Sequence, residues 1–192
     1  DRVGCMIDCC KFYWTSREQD ESLFISNGSR ASEIEGAVLN VQLDRIDPMI
    51  GRMRRQKHKI LRETADTGLT PIKANSLEYE CGTHVGFLLP TTTQADEMQR
   101  LTGCMIAGKT GRHVYTEWDP IFAHSGGPHP ALNPFAFKEN AECRMDYTKD
   151  MCARSLDILN RTAMFGTHPD HKAADVNRQI RAIQKAAKAV LG

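Results

Sequence analysis

The pattern of apolar and polar positions changes sharply at residue 32. Residues 1–31 mix side-chain types with little periodicity and hold a cluster of cysteines, Cys5, Cys9 and Cys10. From Ser32 onward, Ile34, Ala37, Val38, Val41, Leu43 and Ile46 recur near a 3.6-residue period, the signature of a helix with one apolar stripe. Ser32 and Glu35 have the spacing of a capping box, in which hydroxyl and carboxylate satisfy backbone N–H groups that the first turn leaves free. Asp47-Pro48 reads as a second N-cap with proline at the first helical position. The expectation is a break or bend there, because a proline inside a continuous helix costs about 3 kcal/mol. Met49, Ile50, Met53, Ile60 and Leu61 are the core-facing positions of the second helix, which Gly68 and Pro71 end. The two helices make one long, bent arm over 32–68.

Beyond Pro71 the periodicity alternates. Residues 83–89 (THVGFLL) form a short apolar run that suits a buried strand, followed by a helix over about 93–101. Residues 113–116 are β-branched and aromatic and read as a strand, and 119–135 is a loop rich in Pro, Gly and His. A helix near 151–159 leads to a strand at 162–165. The last helix is marked by Val176, Ile180, Ile183, Ala187 and Val190 or Leu191. This order predicts an α+β domain over 69–192, a small sheet with helices packed on one face. There is no internal repeat and no low-complexity tract.

Composition narrows the classes. The 192 residues carry 25 Lys and Arg against 24 Asp and Glu, so no global field points to nucleic acid or to an anionic membrane. No apolar run approaches the roughly 18 residues of a spanning helix, and the opening residues hold no signal-peptide core. Seven cysteines, at 5, 9, 10, 81, 104, 143 and 152, are odd in number and irregularly spaced, unlike a secreted disulfide scaffold. The expectation is a reduced, cytoplasmic protein. The chain opens on Asp1 without a methionine, which reads as a piece of a longer polypeptide.

Three motifs have bland explanations. Gly103-Cys-Met-Ile-Ala-Gly108-Lys109-Thr110 matches the phosphate-loop pattern letter for letter. That chemistry requires a strand before the loop and a helix after it. Here the amphipathic stretch comes first, so Gly103 reads as a helix C-cap followed by a second glycine-bearing turn. The basic run Gly51-Arg-Met-Arg-Arg-Gln-Lys-His-Lys59 has Met53, Ile60 and Leu61 at helical spacing and no interleaved aromatics, so it reads as a solvated helix face rather than a single-strand binder. His168-Pro-Asp-His171, with His124 and His129, lacks the paired short spacings of structural zinc and reads as a turn before a helix; no metal site is expected. The sequons at Asn27 and Asn160 carry no meaning in a cytoplasmic chain.

One stretch carries more. Phe24-Ile-Ser-Asn27-Gly28-Ser-Arg30-Ala-Ser32-Glu33-Ile-Glu-Gly36-Ala37, then Gln42-Leu43-Asp and the arginine-bearing helix with Arg52, Arg54 and Arg55, resembles the region after the cofactor domain in the DegT/DnrJ/EryC1/StrS sugar aminotransferases. Arg154-Ser-Leu-Asp-Ile-Leu-Asn-Arg161, a short strand, Thr167-His168-Pro169 and a final helix continue the likeness over nearly the whole chain. Tyr115-Thr-Glu-Trp118-Asp-Pro120, Asn133-Pro-Phe and Cys143-Arg-Met-Asp146-Tyr look most like the branch acting on 8-amino-octulosonate sugars.

The resemblance implies the arm and small C-terminal domain of a fold-type I aminotransferase using pyridoxal 5'-phosphate, with a keto or aldehyde sugar as acceptor, an amino-acid donor and a homodimer as the working form. In such enzymes a lysine holds the cofactor as a Schiff base and moves the proton. That lysine lies in a glycine-rich setting which neither Lys11 nor Lys109 has, so the resemblance places it upstream and the chain alone is expected to be inactive. No catalytic residue is assigned here. Asn27 and Arg30 would serve the cofactor phosphate of a neighbouring subunit, and Trp118 and His129 would face the sugar. The family asparagine falls at Gly28 in this chain, with Asn27 beside it, so a one-residue slip is needed for Asn27 to take its part. The competing readings are a noncatalytic interaction module descended from the same domain and, on the eight letters around Lys109 alone, a nucleotide binder.

Overall fold

In a computed structural model of the protein, the described residues are 32–126 and 129–192. The chain divides into two units, Asp1–Pro48 and Met49–Gly192. The described residues form a mixed α+β structure. Its helices are α1 (Glu33–Glu63), α2 (Thr92–Thr102), α3 (Asp119–Phe122), α4 (Ala153–Asn160) and α5 (Ala173–Leu191). Its strands are β1 (Thr70–Pro71), β2 (His84–Leu88), β3 (Met105–Ile106) and β4 (Thr162–Gly166).

The capping box forms as the spacing predicts. The Glu35 amide donates to Ser32 Oγ at 3.0 Å and the Ser32 amide donates to Glu35 Oε2 at 3.4 Å. The expected break at Asp47-Pro48 does not occur: α1 is one helix of 31 residues with Pro48 inside it. Proline removes the N–H that would bond the Asp44 carbonyl. Asp44, Asp47 and Pro48 are all exposed, so the orphaned carbonyl faces solvent rather than a dry core. The stripe on the first half of the helix is exposed as well, with Ile34 at 79% and Leu43 at 65% of full exposure. Ile60, in the last turns, is fully buried. The helix ends at Glu63, and a left-handed Gly68 (φ 78°) turns the chain into β1.

The strands pair antiparallel in the order β1-β2-β4-β3. Val85 opposes Phe165 and Phe87 opposes Ala163, while Ile106 opposes Ala163 from the other side. Because side chains alternate across a strand, these five share one face, and all are buried. The Phe87 and Phe165 rings meet edge to face with centroids 6.0 Å apart. Ala95 and Met98 of α2, Val176, Ile180, Ile183 and Ala187 of α5, and Ile60 of α1 join the same cluster. Burying one such large side chain is worth about 1.5–3 kcal/mol, so this layer is what holds the small sheet together.

Two sequence readings are corrected here. Residues 113–116 are not a strand: 3-10 turns run over Gly111–His113 and Tyr115–Glu117. The amides of Val114 and Glu117 close i→i+3 bonds on Gly111 and Val114 while the Val114 side chain is buried. The β-branched residue was selected by burial, not by a ladder. The basic run 51–59 is also more than a solvated face. Arg52 Nε donates to the Pro169 carbonyl at 3.0 Å, Arg54 donates to the Glu80 carbonyl, and Lys57 pairs with Glu80 at 2.6 Å. Buried Gln56 clamps His168 from both sides, donating to its carbonyl at 2.8 Å and accepting from its amide at 3.2 Å. These polar groups fasten the loops before β2 and α5 onto the helix.

Candidate functional site

The residues assigned to a sugar by resemblance, Trp118 and His129, lie in a segment with little repeating backbone. It runs through the turns Gly111–His113, Tyr115–Glu117, Pro130–Leu132, Pro134–Ala136 and Lys138–Asn140, with α3 between. Pro120, Pro130 and Pro134 each stand at the first or second position of their element, where the missing N–H would be unpaired in any case.

Asn133 is the hub of this segment. Its Oδ1 accepts from the Gly126 amide at 3.1 Å and the Phe135 amide at 3.2 Å, and its Nδ2 donates to the His124 carbonyl at 2.8 Å. His124 sits at φ 50°, a left-handed conformation that side chains other than glycine seldom adopt. Its Nε2 lies 2.8 Å from the Met145 carbonyl; a carbonyl only accepts, so the proton is on Nε2. The ring stacks on Phe135 with centroids 5.0 Å apart and meets the edge of Tyr147 at 6.3 Å. On the other flank, Tyr115 Oη donates to the Lys149 carbonyl at 2.8 Å and accepts from the Cys152 amide at 3.2 Å. The Lys149 ammonium lies 5.6 Å over the Phe122 ring and 3.6 Å from Asp119.

This network links the backbone beside Trp118 to the backbone beside His129. The Trp118 carbonyl accepts from Ile121 at 2.9 Å at the start of α3, which ends at Phe122, two residues before the His124 that Asn133 holds. The Asn133 amide in turn bonds the Pro130 carbonyl beside His129. The Trp118 side chain is half-exposed. His129 is exposed, and its Nδ1 accepts from the Ala131 amide at 3.1 Å, which leaves its Nε2–H as a donor to a ligand. Asn27 and Arg30, the other two assigned residues, lie outside the described residues, as do Cys5, Cys9 and Cys10.

The Arg144 guanidinium, 2.6 Å from Asp146, holds that carboxyl below the ordinary range, and a hydrogen bond from Thr148 does the same for Asp150. Both are ionised at neutral pH and are poor general acids. The His168 and His171 rings lie 5.7 Å apart in the turn before α5, where His168 Nδ1 accepts from the Asp170 amide. Among the described residues no group of three His, Cys, Asp or Glu side chains is placed to hold a metal ion. The four described cysteines, Cys81, Cys104, Cys143 and Cys152, are free thiols. No described helix is long and apolar enough to cross a membrane.

The eight letters around Lys109 form no phosphate cradle. Gly103 is the left-handed C-cap of α2 (φ 69°), with its amide on the Gln99 carbonyl. β3 and a 3-10 turn over Ala107–Lys109 follow, and Lys109 pairs with Asp96 at 2.7 Å. A β-carbon on Gly108 would collide with the Asn160 side chain, so this glycine is set by packing against the end of α4. The organising roles of Asn133 and His124 were not read from the sequence. Only the Asn133-Pro134 dipeptide, a turn former, signals them.

Searched against protein-family models, the chain matches none, and no curated protein matches it.

Proposed function

We propose that this chain is the C-terminal portion of a pyridoxal-phosphate-dependent aminotransferase that moves an amino group from an amino-acid donor to a keto or aldehyde sugar in the cytoplasm. The observation that carries the reading is the run from Phe24 to Asp47 with its arginine-bearing continuation. A long capped helix leading into a small antiparallel sheet is compatible with it. Fold analogy alone does not establish an activity, so the reading rests on those residues.

In this reading the Schiff-base lysine lies upstream of Asp1, as the resemblance implies. Within the chain, Lys57 is paired with Glu80, Lys109 with Asp96, and Lys59 bonds Asn177. The electron sink that the cofactor supplies therefore belongs to the part of the enzyme that carries the lysine. In this reading Asn27 and Arg30 complete the phosphate side of a neighbouring subunit's site. Trp118 offers an apolar face to a sugar ring, and His129 offers its Nε2–H to a hydroxyl. The exposed residues Ile34, Val38 and Val41, which share one face of α1, support a homodimer or an upstream cofactor domain as their cover, since an exposed apolar patch marks an interaction surface.

The test is to mix the purified chain with pyridoxal phosphate, reduce with borohydride and map the adducts by mass spectrometry. The reading expects scattered, substoichiometric labelling of surface lysines. One stoichiometric adduct, with amino transfer lost when that lysine becomes alanine, would overturn it.

A further inference from the structure

The basic run that no function has absorbed builds a cleft. Arg52, Arg55 and Lys59 occur at spacings of three, four and seven, which places them along one face of α1. That face meets the first turn of α5. Arg52, Arg55, Gln56 and Lys59 from α1, with His171, Ala173 and Val176 from the other side, enclose an open cleft of about 230 Å³. The two walls are more than a hundred residues apart in sequence, and specific bonds register them. Arg52 holds the Pro169 carbonyl, Gln56 clamps His168, and Lys59 bonds Asn177 Oδ1.

We infer that this cleft binds the phosphoryl group of a small phosphate monoester. Among the described residues neither Arg52 nor Arg55 forms an ion pair, so these two cations on one face are not balanced by nearby acidic groups. Glu63 lies 3.8 Å from Lys59, and Asp175 is turned to the Lys172 amide at 3.0 Å and Arg178 at 2.9 Å. Arg55 forms no ion pair among the described residues and is exposed at the mouth of the cleft. Two guanidinium forks and an ammonium suit a tetrahedral dianion with three terminal oxygens better than a planar carboxylate. The 19-residue helix α5 adds its positive end. The cleft is smaller than the roughly 300–1,000 Å³ of sites that engulf a whole small-molecule ligand. It therefore takes the phosphoryl group and leaves the ligand's carbon body outside.

The experiment is a 1H–15N NMR titration of the chain with inorganic phosphate and with glycerol phosphate, against chloride and acetate at matched ionic strength. The inference expects saturable shifts at the Ala173 and Ala174 amides and at the arginine Nε–H signals with both phosphates only. Arg55→Gln, which breaks no bond within the described residues, should weaken binding about tenfold, the loss of one charge-assisted contact. Arg55→Lys should fall between the two. Linear shifts that chloride reproduces, or an Arg55→Gln titration superimposable on that of the parent chain, would overturn it. So would sedimentation with phosphatidic acid vesicles in the absence of any response to the soluble phosphates.

Discussion

Gly82 makes a quantitative test of how the small domain is fastened to α1. It sits at φ 70°, and a β-carbon there would stand 2.8 Å from the Arg54 nitrogen, 2.9 Å from the Arg54 Cα and 3.0 Å from the Met53 carbonyl carbon. All three are backbone atoms of a helix, which cannot turn aside as a side chain can. Gly103 provides the control. Its φ is 69°, but nothing lies within 4 Å of its missing β-carbon. Alanine at Gly103 therefore bears only the left-handed conformation, about 1–2 kcal/mol. Alanine at Gly82 bears that and an overpacking cost of about 1–3 kcal/mol, giving about 2–5 kcal/mol in total. The gain from stiffening the unfolded chain is common to both and cancels in the difference. Urea denaturation followed by far-ultraviolet circular dichroism measures each change. In a chain of this size each kcal/mol moves the melting temperature by about 2–4 °C. If Gly82→Ala is no worse than Gly103→Ala, the close approach to α1 is not a structural constraint and the reasoning fails.

Three further outcomes follow from the same structure. Burial holds the Cys104 thiol above its ordinary pKa, so among Cys81, Cys104, Cys143 and Cys152 it should be the last alkylated by iodoacetamide, read by time-resolved mass spectrometry; early labelling of Cys104 would contradict its burial. Asp175 is held below its ordinary value of 3.8 by the hydrogen bond from the Lys172 amide, with Arg178 and His171 assisting. Its stabilisation of α5 is thus present above that value and lost as the pH falls through the lowered pKa. Carbon-detected NMR should place its midpoint below the ordinary value of 3.8, and Asp175→Asn should abolish this share of the acid sensitivity. Pro48→Ala restores the bond to the Asp44 carbonyl in an uninterrupted helix, and should raise stability by up to about 3 kcal/mol; a loss of helicity would show that proline is required there.

Much of this architecture is legible in the sequence because long periodic signals dominate local noise. The capping box at Ser32, the last helix from Val176 to Leu191, the strand around Phe87 and the C-cap at Gly103 follow from spacing alone. The two-residue strands β1 and β3 are too short to show a period, and their pairing is dictated by β2 and β4. Val114 misled because burial selects β-branched residues in turns as well as in strands. Pro48 misled because the cost of an interior proline falls when its orphaned carbonyl faces water. At the candidate sites, Trp118 and His129 were visible as residue types, and the arginine spacing at 52, 55 and 59 was visible as a stripe. That the stripe meets His171, and that Asn133 ties His129 to the end of α3, depends on contacts distant in sequence. No local pattern encodes those.

The central claim is that this chain completes an aminotransferase whose cofactor-binding lysine lies elsewhere in the same polypeptide. The most direct measurement is to sequence the gene upstream of the Asp1 codon and assay the product of the whole reading frame for amino transfer to a keto sugar. The account predicts a frame that continues into a domain with a lysine in a glycine-rich setting, and an activity that borohydride-trapped pyridoxal phosphate abolishes. A start codon beside Asp1, with no such lysine encoded, would contradict it and leave an interaction module in its place.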